Sequence, residues 1–416
     1  MYKNVLITNE NNEGKGITKV EGKVVFVPFT IKDDVIDLEI IKNNKNYDEG
    51  KLINLVKKSS NRVIPKCKYY YNCGGCNIMH MNYNYQLEFK KNKVINNFKK
   101  ISNIDITNID VVYDKEFNYR NHITLSVKND KIGFLKHNSN EIVDIDYCLI
   151  SNEMINKKIS EIRKFISLFK NNYIDKISIK AYSDILINIE SNNFTLVNEF
   201  INYVNCDSLF VNNKLVFGKD KCDIIFDKYK FKISSKSFFQ KNTNMALKLY
   251  KYIRDNVNGD KVLDLYCGIG SIGIFISDKV KEVIGIEIID DAVTNAKENA
   301  NINNVNNIDF ISGKVENNIE KFNDVDTIIV DPPRVGLNRK VIDNIIKIAP
   351  KNLIYVSCNS TTLARDLNYL KDKYEINNVK LFDLFANTYH VECVVVLKLK
   401  KWEIIIESIY YFYYNN

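Results

Sequence analysis

Four short apolar runs between Val262 and Ser357 constrain this chain more than any other feature. They are Val262-Leu263-Asp264-Leu265, Val283-Ile284-Gly285-Ile286-Glu287, Thr327-Ile328-Ile329-Val330-Asp331 and Leu353-Ile354-Tyr355-Val356-Ser357, with helical segments between them. Runs that are apolar throughout, rather than at alternate residues, belong to strands covered on both faces. Alternation with helices makes such a sheet parallel. The pattern predicts an α/β domain over 229–400. A late pair, Leu381-Phe382-Asp383-Leu384 and Val394-Val395-Val396-Leu397, is expected to add an antiparallel edge. In open sheets of this kind, ligands sit outside the C-terminal ends of the strands.

The remainder of the 416 residues leaves room for one or two further domains. Residues 1–58 carry short strands, Val5-Leu6-Ile7, Lys23 to Pro28 and Val35 to Ile40, separated by Gly14, Gly16 and other turn residues. A small barrel of the OB type fits this spacing, as does any small all-β module. Residues 59–228 begin with a basic, cysteine-bearing stretch, and a helix is expected at Tyr85 to Lys99. Strands at Ile123 to Val127 and Ile185 to Ile189 follow, with a helix on which Ile155, Ile159, Ile162, Ile166 and Phe169 recur at helical spacing. This reads as an α+β domain. The segment 401–416, rich in Ile and Tyr, is left unassigned.

Lys and Arg number 59 against 51 Asp and Glu, a formal charge of +8. That excess is compatible with a polyanionic partner without demanding one. Met1 to Gly16 is polar and lacks the apolar segment of an export signal. No apolar run reaches the roughly 20 residues that a membrane helix needs. A cytoplasmic chain with no membrane partner is expected, so its nine cysteines are not expected to form structural disulfides.

Three of those cysteines are clustered. Cys67, Cys73 and Cys76 are spaced C-x5-C-x2-C, with Gly74 and Gly75 between the last two, and Cys148 is a distant fourth candidate. Four thiolates suit zinc or an iron–sulfur cluster, and the spacing does not choose between them. Cys206, Cys222, Cys267 and Cys393 are expected to be small buried apolar residues.

The run Asp264-Leu265-Tyr266-Cys267-Gly268-Ile269-Gly270-Ser271-Ile272-Gly273 follows the first parallel strand and opens a helix, and Glu287 ends the next strand. Glycines there let backbone approach a ligand, and a carboxylate at the Glu287 position can accept ribose hydroxyls. The pattern also fits a dinucleotide dehydrogenase or an ordinary strand-to-helix turn. The sequence Asp331-Pro332-Pro333-Arg334, on the same sheet edge, favours a stiffened loop beside a substrate ring. Cys358 ends the next parallel strand and is expected to face the crevice, with cationic or polar neighbours favouring its thiolate. Taken alone, a cysteine at a strand end is more often inert. His390-Val391-Glu392 opens the last strand. Glu392 is either a base or an exposed strand-end charge, and His390 is expected to orient or pack.

With these residues in view, the chain resembles the bacterial 23S rRNA (uracil-5-)-methyltransferases of the RlmD and RlmCD type, within the TrmA superfamily. The resemblance runs through residues 1–400. It implies a TRAM domain at 1–58, a central domain at 59–228 carrying a 4Fe–4S cluster on Cys67, Cys73, Cys76 and Cys148, and a Rossmann-like methyltransferase domain that Ser237-Phe238-Phe239-Gln240 opens. By the same resemblance, Gln240, Tyr266, Gly268, Glu287 and Asp331 bind S-adenosylmethionine, Cys358 is the nucleophile and Glu392 the proton-abstracting base. The implied reaction is methyl transfer to carbon 5 of a uridine through a covalent adduct between cysteine and uracil. The implied partner is 23S rRNA, held partly by Lys57, Lys58, Arg62, Lys66 and Lys68. A tRNA-modifying enzyme and a non-catalytic RNA-binding assembly factor are the alternatives. Two departures stand out. The family usually has proline where Ser360 and Ala386 stand, so slightly looser loops are expected there.

Overall fold

The computed structural model describes residues 1–170 and 173–400, and the unassigned segment 401–416 lies outside the described residues. The apolar runs form parallel strands at Lys261–Leu265, Glu282–Glu287, Ile308–Ser312, Thr327–Val330 and Asn352–Ser357. Their spatial order is 308–312, 282–287, 261–265, 327–330, 352–357. The chain turns in opposite directions on either side of Lys261–Leu265. The connections leaving its C-terminal end therefore part and open a crevice.

The strand Glu392–Leu399 lies antiparallel between Asn352–Ser357 and Tyr374–Phe382. The late pair is antiparallel, as the sequence predicts, but it does not form the edge of the sheet. Asp110–Val112 adds outside Tyr374–Phe382, in parallel, with Val111 opposite Leu381. A three-residue strand carries too little pattern to be recognised locally.

Helix Tyr83–Asn97 is capped by Asn82, whose side chain accepts from the Tyr85 N–H. Its Val94, together with Phe98, packs into the same apolar layer as Leu353, Leu363, Leu367 and Leu381. Residues 83–112 thus pack with the C-terminal sheet, whereas the sequence division grouped them within 59–228. Contacts across more than 250 residues leave no local trace.

The rest of the central region builds a seven-stranded sheet in the order 142–144, 131–135, 122–128, 174–181, 185–191, 208–211, 214–218. Helix Glu153–Leu168 covers it with Ile155, Ile159, Ile162 and Ile166, all buried as their spacing predicts. The N-terminal residues form a six-stranded sheet around Ile7, Val25, Val27, Ile36 and Leu38. It docks through a buried ion pair, Arg62 Nη2 to Asp34 Oδ2 at 2.6 Å. Among the described residues, no helix is long and apolar enough to cross a membrane.

Candidate active site

The glycine turn is shaped by its own crowding. Gly270 has φ +76°, and a Cβ there would lie 2.5 Å from the Phe310 ring. A left-handed backbone and a filled space both exclude a side chain. Gly270→Ala is expected to destabilise the domain by about 1–3 kcal/mol and to weaken cofactor binding. Thermal unfolding and calorimetric titration with S-adenosylmethionine measure the two effects. After the turn, the Gly268 N–H donates to Glu287 Oε2 at 3.1 Å, and the Ile289 N–H donates to Glu287 Oε1 at 2.9 Å. Two backbone donors therefore fix the Glu287 carboxylate at the strand end.

A cleft of about 1680 Å³ opens at this edge. Its walls include Gln240, Tyr266, Gly268, Glu287, Asp331, Arg334, Cys358, His390 and Glu392, so every expected cofactor and catalytic residue meets in one space. Cys358 is partly buried, and Glu392 is buried. Glu392 is therefore not an exposed strand-end charge.

The electrostatics differ from expectation. The Cys358 thiol is pushed up to about 11, first by burial, then by Glu392, with Arg334 pulling the other way. Cys358 therefore rests as a neutral thiol, because one cation is outweighed by desolvation and two carboxyl groups. Burial raises Asp331 to about 7. Glu392 is raised well above the usual range by burial and by the Asp331 charge, against Arg334. His390 is lowered to about 3 by burial and by the cations Arg334, Lys93, Lys90 and Arg120. It remains a neutral imidazole at pH 7, suited to packing and hydrogen bonding.

Cys67, Cys73, Cys76 and Cys148 line a second, smaller cavity between the cysteine loop and the central sheet. Burial, and then the neighbouring thiols, raise Cys76 well above its usual range, and burial raises Cys73 to about 11. Among the described residues, no group of three or more His, Cys, Asp or Glu side chains converges on a position for one metal ion. All nine cysteines are free thiols, and Cys206, Cys222, Cys267 and Cys393 are buried.

The basic segment needs correction. Arg62 is spent on Asp34 and also donates to Phe29 O at 2.7 Å, so it is not available to a phosphate. Lys68 pairs with Asp146 at 2.9 Å, and Lys66 lies over the Phe117 ring. The departures from proline are also tied down. Ser360 Oγ accepts from Asn97 Nδ2 at 2.8 Å, and Ala386 O accepts from the Tyr119 hydroxyl at 2.9 Å. Side chains on other elements thus hydrogen-bond to both positions where the family usually has proline.

Residues 82–400 match the family model described as tRNA (uracil-5-)-methyltransferase, and residues 2–53 match the TRAM domain. The chain belongs to the TrmA-type family of S-adenosylmethionine-dependent RNA uracil-5-methyltransferases. Relatives of this methyltransferase include a Clostridium tetani protein described as an uncharacterized RNA methyltransferase, 34% identical over 95% of both chains. A Clostridium acetobutylicum protein with a similar description is 35% identical, covering 95% of this chain and 96% of its own. Among solved structures, the tRNA (uracil-54, C5)-methyltransferase of Pyrococcus abyssi, in complex with S-adenosyl-L-homocysteine, is 29% identical. It covers 94% of this chain and 99% of its own, with a TM-score of 0.81.

Four cleft residues of the methyltransferase had no assigned role from sequence. Arg334 is a cleft cation whose charge acts on Glu392, Phe238 is 64% exposed in the cleft, and Arg120 and Lys241 line its wall. Phe238 and Arg334 stand inside motifs already singled out, so their position was legible although their use was not. Arg120 and Lys241 carried no signal, since lysine and arginine are common throughout the chain.

Proposed function

We propose that this enzyme methylates carbon 5 of a uridine in 23S rRNA, with Cys358 as nucleophile and Glu392 as base. The observation that carries this reading is the meeting of Cys358, Glu392 and Asp331 in the same cleft as the glycine turn. Carbon 5 of uracil is a weak nucleophile. Once Cys358 has lost its proton to solvent, addition of its Sγ to carbon 6 would move the ring electron pair into an enolate, and carbon 5 would then take the methyl group as the methyl–sulfonium bond breaks and a thioether leaves. The bound cofactor contributes an electrophilic methyl on a sulfonium. Glu392 then accepts the carbon 5 proton, the electron pair re-forms the 5,6 double bond, and the carbon 6 to sulfur bond breaks to release Cys358. A carboxyl group held above its usual range is a stronger base once ionised, which suits Glu392 to this step.

The cofactor would be held by Gln240, Tyr266, Gly268, Glu287 and Asp331. The Glu287 carboxylate, fixed by two N–H donors, is suited to the ribose hydroxyls. The flipped uridine would enter beside Cys358, since carbon 6 cannot be reached within a stacked helix.

The four thiols of the second cavity fit a 4Fe–4S cluster. Their donor set is purely thiol, the set that would hold an iron–sulfur cluster. The cluster would hold the loop 67–80 on the central sheet. Purified enzyme is expected to contain iron and sulfide, and Cys76→Ser to lose both. Iron-free protein that methylates at the full rate would overturn this assignment.

The resemblance to the RlmD and RlmCD type supports 23S rRNA. A second reading, tRNA, is supported by the likeness to the Pyrococcus abyssi tRNA enzyme over 94% of this chain. The N-terminal and cysteine-bearing segments therefore do not discriminate by their presence alone. Purified enzyme given 23S rRNA and tRNA transcripts, with 5-methyluridine measured by mass spectrometry, tests the choice. Methylation of tRNA alone would sink the first reading.

A further inference from the structure

We infer that Asn387 is a positioning residue through which the cysteine loop and helix Tyr83–Asn97 set the placement of Glu392. The inference rests on the reading of Glu392 as the base.

The connection from Asp383 to Val391, which delivers Glu392 to the cleft, is almost entirely buried. Four of its carbonyls are held from outside the strands that it joins. Lys90 Nζ donates to Phe385 O at 3.1 Å, and the Tyr119 hydroxyl donates to Ala386 O at 2.9 Å. The backbone N–H groups of Asn77 and Ile78, just after Cys76, both donate to Asn387 O, at 3.1 and 3.2 Å. Lys93 Nζ donates to Tyr389 O at 3.0 Å.

Asn387 is the node of this set. Its backbone sits at φ +66°, in the left-handed region, and its side chain is fully buried. The Gln86 amide meets it twice. Gln86 Nε2 donates to Asn387 Oδ1 at 3.2 Å, and the Asn387 N–H donates to Gln86 Oε1 at 2.9 Å. Asn387 Nδ2 donates to Glu116 O at 2.9 Å. One residue thus reads three segments, the cysteine loop, the helix and the stretch before Arg120, and every polar atom it owns is used. Beyond it, the Thr388 hydroxyl donates to Phe385 O at 2.8 Å and accepts from the His390 N–H at 3.3 Å. This chain of bonds ends two residues before Glu392.

A hairpin that only had to join two strands needs no such frame. A displacement of about 1 Å at a reacting group can cost about a hundredfold in rate, and a frame of this kind prevents it. None of these bonds is made to Cys358 or to the glycine turn, so the arrangement acts on the last proton transfer.

The test uses the whole chain with the unmethylated RNA transcript that it modifies. Asn387→Gly keeps the left-handed backbone and removes the side-chain bonds, and Gln86→Leu removes the reciprocal pair from the other side. Each is expected to slow steady-state turnover by about tenfold to a hundredfold. Methyl transfer in the first turnover should stay within about twofold, and the covalent enzyme–RNA adduct should accumulate on denaturing gels. Asn387→Asp, which keeps the acceptor for Gln86, should recover part of the turnover. Equal loss of first-turnover transfer and steady-state turnover, with no adduct, would overturn the inference, because a general structural defect behaves that way. Glu392→Gln separates the two layers. If it traps adduct and the Asn387 variants do not, only the positioning role fails. If it traps none, the assignment of Glu392 fails.

Discussion

Cys358→Ala is expected to lower methylation by at least about 10⁴-fold, while binding of S-adenosylmethionine stays within about twofold. The asymmetry follows from the division of the cleft. The thiol stands at the end of Asn352–Ser357, and the Glu287 carboxylate is fixed by Gly268 and Ile289 on other elements. On the proposed mechanism, removing the sulfur takes away the group that adds to carbon 6 and leaves the bonds that hold Glu287 in place. Glu392→Gln should behave differently, allowing methyl transfer but trapping the adduct. The pH dependence carries its own sign. With the thiol up near 11 and Glu392 raised by burial, the proposed nucleophile and the proposed base both gain their anionic forms as pH rises. The first-turnover rate should therefore climb between about pH 6 and 9 and show no acidic optimum. A strong cofactor-binding defect in Cys358→Ala, or a rate that falls over this range, would contradict the arrangement.

The second large effect concerns stability. Asp383→Asn should destabilise the enzyme by about 3–5 kcal/mol, seen as a Tm lower by about 10 °C. Asp383 accepts from Lys90 Nζ at 2.5 Å and from the Tyr83 hydroxyl at 2.8 Å, and both partners of the ion pair are fully buried. Burial holds Lys90 below its usual range even with Asp383 opposite. Removing the carboxylate charge leaves an ammonium with no counter-charge in a dry layer. Replacing both members with apolar side chains of similar volume should restore most of the loss, since the pair itself is not the source of net stability. A drop in Tm of less than about 2 °C for Asp383→Asn would show that this layer relaxes or admits water.

Much of the catalytic region was legible because its signals are local. The four apolar runs announce a parallel sheet, and the glycine turn, Asp331 and Cys358 each follow a strand. Their place at one edge is thus a consequence of strand direction. Glu392 was legible as the start of the last strand, but its burial was not, because the covering loop is assembled from distant segments. Arg62 misled for a similar reason. A basic residue in a basic stretch suggests a phosphate contact, and only packing against Asp34 shows it to be internal.

Sequence alone determined which strands would be parallel, where the glycine turn lies, and that Cys67, Cys73 and Cys76 cluster. These depend on periodicity, chain direction and residue chemistry over a few neighbouring residues. Tertiary structure decided how the reacting groups are held and charged. The Asn387 node joins residues about 300 positions apart, the short strand Asp110–Val112 completes a sheet built mostly after residue 260, and the Cys358 thiol is raised by burial and then by carboxyl groups from other strands. Desolvation and long-range hydrogen bonding depend on what surrounds a group, and that surrounding exists only once the chain has folded.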